Sequence, residues 1–209
     1  MKQLCDILGA ETVDSIPYRL NEVLFYGDSD RDPIYRAICD MYANDLSYDW
    51  FYDFYQSLYA QRKDLKQDFT PKSISDVLLR ISSSDSAKIT YEPSAGTGSL
   101  LIRHWWRSRN NYSLFNYSPI DHIYICSEKS SRSIPFLLFN LSVRGIQGVV
   151  FHEDTLTEEC SSIYLVANIL NNPLCFSQII RLKDEKNEYK KINIRKHYYG
   201  NDDAYLMLK

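Results

Sequence analysis

The stretch Tyr91-Glu92-Pro93-Ser94-Ala95-Gly96-Thr97-Gly98-Ser99-Leu100 places an acid, a tight glycine turn and a helix start in succession after a short apolar run. Gly96 and Gly98 lack Cβ, so the backbone there can take positive φ and approach a ligand closely. The free N–H groups that open the following helix face any anionic group bound nearby. That order of residue types suits a nucleotide-bearing cofactor. Two commoner glycine loops fit poorly: a dinucleotide loop needs glycine where Leu101 stands, and a P-loop needs G-K-[ST] after its last glycine.

Polar residues recur after the other apolar runs. A strand over 88–91 ends at Glu92, one over 122–126 leads to Ser127 and Glu128, one over 148–151 to Glu153 and Asp154, and one over 163–166 to Asn168. Helices over 99–107 and 133–144 alternate with them, the second with Ile134, Leu137, Leu138 and Leu141 at helical spacing and Gly145 as its stop. This alternation predicts an open, doubly wound α/β sheet that binds ligands beyond the carboxyl ends of its strands. All four strand ends are then expected to converge on one crevice.

Upstream, residues 1–66 read as a helical segment ahead of a main domain over 67–209. Phe51, Phe54, Tyr55 and Leu58 form an aromatic and apolar stripe on a helix over 46–60, a shorter helix covers 33–43, and 27–33 reads as a polar loop. Thr70-Pro71 opens a further helix with a hydroxyl N-cap and a proline at the first position; Ile74, Val77, Leu78 and Ile81 form its buried face.

Composition narrows the class. The chain has 209 residues and a formal charge of -3, without an apolar run of membrane-spanning length or a secretory-type N-terminus, so a soluble, cytoplasmic protein is expected. Its five cysteines are scattered and its four histidines dispersed, which argues against a disulfide framework or a zinc site; no metal is expected. Lysines and arginines over 183–199, and Arg103, Trp105, Trp106, Arg107 and Arg109, read as solvated or packed surface with some capacity for phosphate contact.

Taken in order, Gln67-Asp68-Phe69-Thr70-Pro71, then Tyr91-Glu92-Pro93-Ser94-Ala95-Gly96-Thr97-Gly98, then Ile134-Pro135-Phe136-Leu137-Leu138-Phe139-Asn140 resemble the N6-adenine DNA methyltransferases. The resemblance spans roughly residues 67–176. It is nearest to the modification subunits of type I restriction-modification systems and their small phage- or mobile-element-borne relatives. It implies a Rossmann-like sheet that binds S-adenosylmethionine, with the N-terminal helical segment appended, and adenine in DNA as substrate. Phe69, Thr70 and Pro71 would lie against the methionine end of the cofactor. Glu92, Pro93, Gly96 and Gly98 would hold its amino-acid moiety, Glu128 its ribose hydroxyls and Asp154 its adenine amino group. No segment is long enough for a separate target-recognition domain, so DNA sequence reading would need a specificity subunit or another partner.

The catalytic pattern of that family is Asn/Asp-Pro-Pro-Tyr/Phe, whereas this chain has Asn168-Ile169-Leu170-Asn171-Asn172-Pro173-Leu174-Cys175-Phe176. Asn168, directly after the strand, is the first candidate for the amine acceptor. Asn172 beside Pro173, with Phe176 as a displaced stacking ring, is the second. A catalytically degenerate module that binds cofactor or DNA without chemistry is the competing expectation.

Overall fold

The computed structural model describes residues 2–59, 88–113 and 115–182. Among them, helices α1 (Lys2–Leu8), α2 (Ile16–Val23), α3 (Asp28–Met41) and α4 (Tyr52–Tyr59) come first. Then follow β1 (Ile89–Glu92), α5 (Ser99–Arg109), β2 (Ile123–Glu128), α6 (Ile134–Val143), β3 (Gln147–Asp154), β4 (Glu159–Ala167) and β5 (Gln178–Leu182). Phe69, Thr70 and Pro71, the helix expected after them and the basic stretch 183–199 lie outside the described residues. No described helix is long and apolar enough to cross a membrane.

Helix α6 organises the core. Its sequence IPFLLFNLSV is apolar on every face and every residue of it is buried, as expected of a helix covered all round. It contacts α2 as well as β3, β4 and β5. Phe51 packs on Phe136 and Phe139 with ring centroids 4.9 and 5.6 Å away, and Phe54 and Tyr55 meet Phe136 edge-on. Such pairs each contribute about 0.5–1.5 kcal/mol beyond area burial. The aromatic stripe of α4 is therefore a packing surface, and one apolar cluster runs from Leu4 to Ile179.

Two N-terminal boundaries differ from expectation. Helix α3 begins at Asp28, inside the stretch expected to be loop, with Pro33 within it. Asp28 and Asp30 occupy its first turn, where the helix dipole favours acids. The buried Arg31 fastens it, pairing with Asp28 and Asp32 and donating to Gln178 of β5. Helix α4 begins at Tyr52 rather than near 46 because Ala43 and Asn44 take positive φ and Asp49 turns the chain by accepting the Phe51 N–H at 2.9 Å.

The strand order is β1-β2-β3-β4-β5. The first three strands are parallel, with Glu92 opposite Cys126 and Glu128 opposite His152. Strand β4 is antiparallel to β3 and β5 antiparallel to β4, so the described sheet is mixed and not parallel throughout as expected. The cause is the connection: only residues 155–158 join β3 to β4, and a parallel return needs a crossover of a dozen or more residues. Glu158 closes this turn in a left-handed conformation, its N–H donating to Asp154 O at 2.8 Å.

Gly148 marks the tightest spot in the parallel part. A Cβ built there would stand 2.1 Å from the Tyr124 carbonyl oxygen of β2. Gly148→Ala is therefore expected to lower stability by at least about 1–3 kcal/mol, the usual range for forced overpacking, as read from a shifted denaturant midpoint. An unchanged midpoint would contradict the pairing of β2 with β3.

Candidate functional site

Three parallel strands deliver their carboxyl ends to one place. Glu92, Glu128 and Asp154 end β1, β2 and β3, and all three line a cavity of about 470 Å³ together with Pro93, Ser94, Ala95, Gly96 and Ser99. Tyr52 and Tyr55 of α4 form part of its wall. A size of several hundred Å³ is ordinary for a small-molecule site. The sequence-expected Glu92, Pro93, Gly96, Glu128 and Asp154 are thus brought together; Gly98 sits just behind, capping α5.

The loop conformation explains both glycines. Gly96 has φ 58° and Gly98 φ 97°, the left-handed region in which an L side chain is strained. A Cβ on Gly98 would also press on Leu137 at 3.0 Å. The turn is pinned to the sheet by Ala95 N–H donating to Ser127 O at 2.9 Å and closed by Gly98 N–H donating to Ala95 O at 2.8 Å. Helix α5 then points its first turn, with Ser99 and Leu100, at the cavity.

Glu128 is the polar centre. One carboxylate oxygen accepts the Gly96 N–H and the other the Ser130 N–H, both at 2.7 Å. The residue is only 9% exposed. Burial pushes its pKa above the usual glutamate range, with the N–H donors of Ser130 and Gly96 acting against that shift. Glu92 is also raised by burial, opposed by the Ser94 N–H. A carboxylate has about four lone-pair sites, so Glu128 retains acceptor capacity on the cavity side after both backbone bonds are made. Asp154 is engaged differently: it pairs with Lys129 at 2.7 Å and accepts the Leu156 N–H at 3.0 Å, and both interactions hold its pKa down.

Behind the loop lies a buried residue that the sequence reading did not single out. Asp49, 7% exposed, accepts from the Thr97 hydroxyl at 2.5 Å, the Ser99 hydroxyl at 2.6 Å and the Asn140 amide at 2.9 Å. Asn140 also donates to Thr97 O at 2.8 Å, and its own carbonyl oxygen accepts from Arg144 at 2.9 Å. Arg144 reaches Leu46 O and Tyr48 O, closing the network onto the chain just ahead of Asp49. Burial lowers the Arg144 pKa to about 10, with Asp49 the foremost influence holding it up. The legible signal for this network was a polar Asn140 between Phe139 and Leu141 in a largely apolar helix.

The carboxyl end of β4 goes elsewhere. In the antiparallel register Val166 lies opposite Gly148 and Glu159 opposite Asp154, so Asn168 emerges at the start of β3. At about 3.3 Å per residue, the steps from Gln147 to Asp154 span roughly 23 Å. Asn168 is buried there, donating to Gly145 O and Asn172 O at 2.9 Å and accepting the Asn172 N–H at 2.9 Å. Asn172 accepts the Leu174 N–H, and Phe176 packs edge-on against Tyr35 with Arg36 over its ring. The three residues expected to perform chemistry therefore form a separate cluster under α3. Three strand ends converge on the cavity, not four.

A family model described as N-6 DNA Methylase matches residues 46–207. The chain belongs to this family. No curated protein and no solved structure gives a significant match. The N-6 DNA methylase span begins just ahead of Asp49 and takes in every residue that lines the cavity, while α1, α2 and α3 precede it.

The polar network has a measurable weight. Asp49→Ala leaves two hydroxyls and an amide without their acceptor and removes the carboxylate facing a buried guanidinium. A loss of about 3–5 kcal/mol is expected, as for breaking a buried charged cluster, and chemical denaturation reads it. Asp49→Asn, which keeps the shape and one acceptor oxygen, is expected to lose less.

Proposed function

We propose that this protein is an S-adenosylmethionine-dependent DNA methyltransferase acting on the N6 amino group of adenine, within or derived from a restriction-modification system. The observation that carries this reading is the buried Glu128 carboxylate bonded to the Gly96 N–H on the wall of a cavity of about 470 Å³, in a chain of the N-6 DNA methylase family. In this reading Glu128 takes the ribose hydroxyls on its remaining lone pairs. Glu92 faces the cofactor's ammonium, the Gly96 backbone gives the amino-acid moiety close approach, and Asp154 accepts from the adenine amino group beside its bond to Lys129. When bound, the cofactor supplies a methyl group on a sulfonium. Phe69, Thr70 and Pro71 are proposed to complete the methionine end. A specificity subunit or other partner is proposed to supply DNA sequence reading.

A second reading, a methyltransferase-fold module that binds cofactor or DNA without transfer, rests on the placement of Asn168. Its side chain is committed to Gly145 and Asn172 at the far end of β3, whereas methyl transfer needs an acceptor for the target amine beside the donor.

Incubation with labelled S-adenosylmethionine and mixed-sequence DNA, alone and with a candidate specificity subunit, is expected to put label on adenine N6. Absence of transfer with intact cofactor uptake would leave the second reading standing. In Asn168→Ala, loss of its backbone bonds is expected to cost about 1–3 kcal/mol of stability and to leave cofactor affinity unchanged.

The raised pKa values of Glu92 and Glu128 give a pH signature with two signs. The ionised carboxylates accept from the ribose and face the ammonium, so cofactor affinity is expected to fall as pH drops through their raised pKa values, above the ordinary 4.5. The folded state holds these protons more tightly than the unfolded chain, so the stability of the cofactor-free protein rises over the same descent and is lost as pH increases. Calorimetric titrations and denaturant melts across that window check both trends; Glu128→Gln is expected to flatten them.

A further inference from the structure

A second cavity, of about 460 Å³, adjoins the first across the segment from Lys129 to Ser133. Lys129 and Ser133 line the cofactor cavity, while Ser131 and Arg132 between them line this one. On β3 the division repeats: Glu153 and Asp154 belong to the first cavity and His152 to the second.

The second cavity has the chemistry of an anion site. Arg132 comes from the loop after β2, Arg181 from β5, His152 from β3 and Asn21 from α2, so donors from four parts of the fold meet in one hollow. Arg181 is oriented by donating to the Ser162 hydroxyl at 2.8 Å, and the His152 ring lies 3.3 Å from the Ser131 hydroxyl. Among the described residues, Glu22 is the only carboxylate lining it, and it is paired with Arg19. In a chain with a formal charge of -3, two arginines on one wall, whose one described carboxylate is paired, concentrate positive charge there.

We infer that this second cavity takes a phosphodiester of DNA, so that Arg132 and Arg181 grip the backbone of the strand whose base enters the neighbouring cofactor cavity. The choice of DNA as the source of the phosphate rests on the methyltransferase reading above; the anion site itself rests on the residues lining the cavity. Paired arginines match phosphate oxygens in geometry as well as charge. The site fixes position and carries no sequence information, as backbone contacts generally do, and so complements a partner that reads bases.

The test is duplex DNA binding by fluorescence anisotropy over a series of salt concentrations, with S-adenosylhomocysteine binding measured on the same preparations by calorimetry. Arg132→Ala/Arg181→Ala is expected to weaken DNA binding about tenfold or more at low salt and to reduce the log–log salt slope by about 1 for each arginine removed. Cofactor-product affinity is expected to stay unchanged. Arg132→Lys/Arg181→Lys is expected to keep the slope, which separates lost charge from disturbed folding. An unaltered slope in the alanine variant, or no salt-dependent DNA binding by the wild type, overturns the inference while leaving the cofactor reading intact. Arginine-dependent binding of inorganic pyrophosphate with an unaltered DNA slope overturns it in favour of a free phosphate ligand. Slope loss in a protein that takes up no S-adenosylhomocysteine supports the phosphate site and instead sinks the methyltransferase reading.

Discussion

Asp49 is the constraint on which the cavity depends. A carboxylate this deeply buried needs hydrogen bonds to offset its desolvation, and the donors that satisfy it are the hydroxyls of Thr97 and Ser99 and the amide of Asn140. Those donors sit on the glycine loop, the first turn of α5 and the middle of α6. One side chain therefore ties the connection before α4 to the loop that walls the cavity. Glu128 grips the same loop from the sheet side through the Gly96 N–H. Held from both sides, Gly96 keeps the positive φ that brings its backbone close to the cavity.

The sheet accounts for the rest of the arrangement. In a doubly wound sheet the ligand crevice opens where the strand order reverses, but the described strands run in sequence order without reversal. The hollow over the ends of β1, β2 and β3 is bounded instead by α4, whose Tyr52 and Tyr55 reach the cavity while its Phe54, with Phe51 just ahead of it, anchors on α6. The Tyr55 hydroxyl lies 2.8 Å from that of Ser130, next to the backbone that Glu128 holds. The helical segment before the sheet is thus part of the site, which agrees with a family match that starts at residue 46.

Local features were legible in the sequence, and long-range ones were not. The acid, proline and two glycines of residues 92–98 announced a tight strand-to-helix turn because each residue type serves the turn itself. Glu128 and Asp154 were legible because polar residues after apolar strands fall at the ligand end of a parallel sheet. The same rule failed for Asn168, since it assumes that β4 runs parallel to its neighbours. The short stretch between Asp154 and Ile163 already leaves too little chain for a crossover, a length signal that the pattern of apolar runs alone does not carry. Asp49 was invisible for another reason: its partners lie some fifty to ninety residues away, and nothing in its immediate neighbours marks a buried acid.

The central claim is that Glu128, held by the Gly96 and Ser130 N–H groups, receives the ribose of a methyl-donor cofactor. A crystal structure of the protein with S-adenosylhomocysteine tests it most directly. The account predicts electron density for the ligand over residues 92–98, with both ribose hydroxyls within hydrogen-bonding distance of the Glu128 carboxylate. Ligand density elsewhere, or a ribose turned away from Glu128, would contradict it.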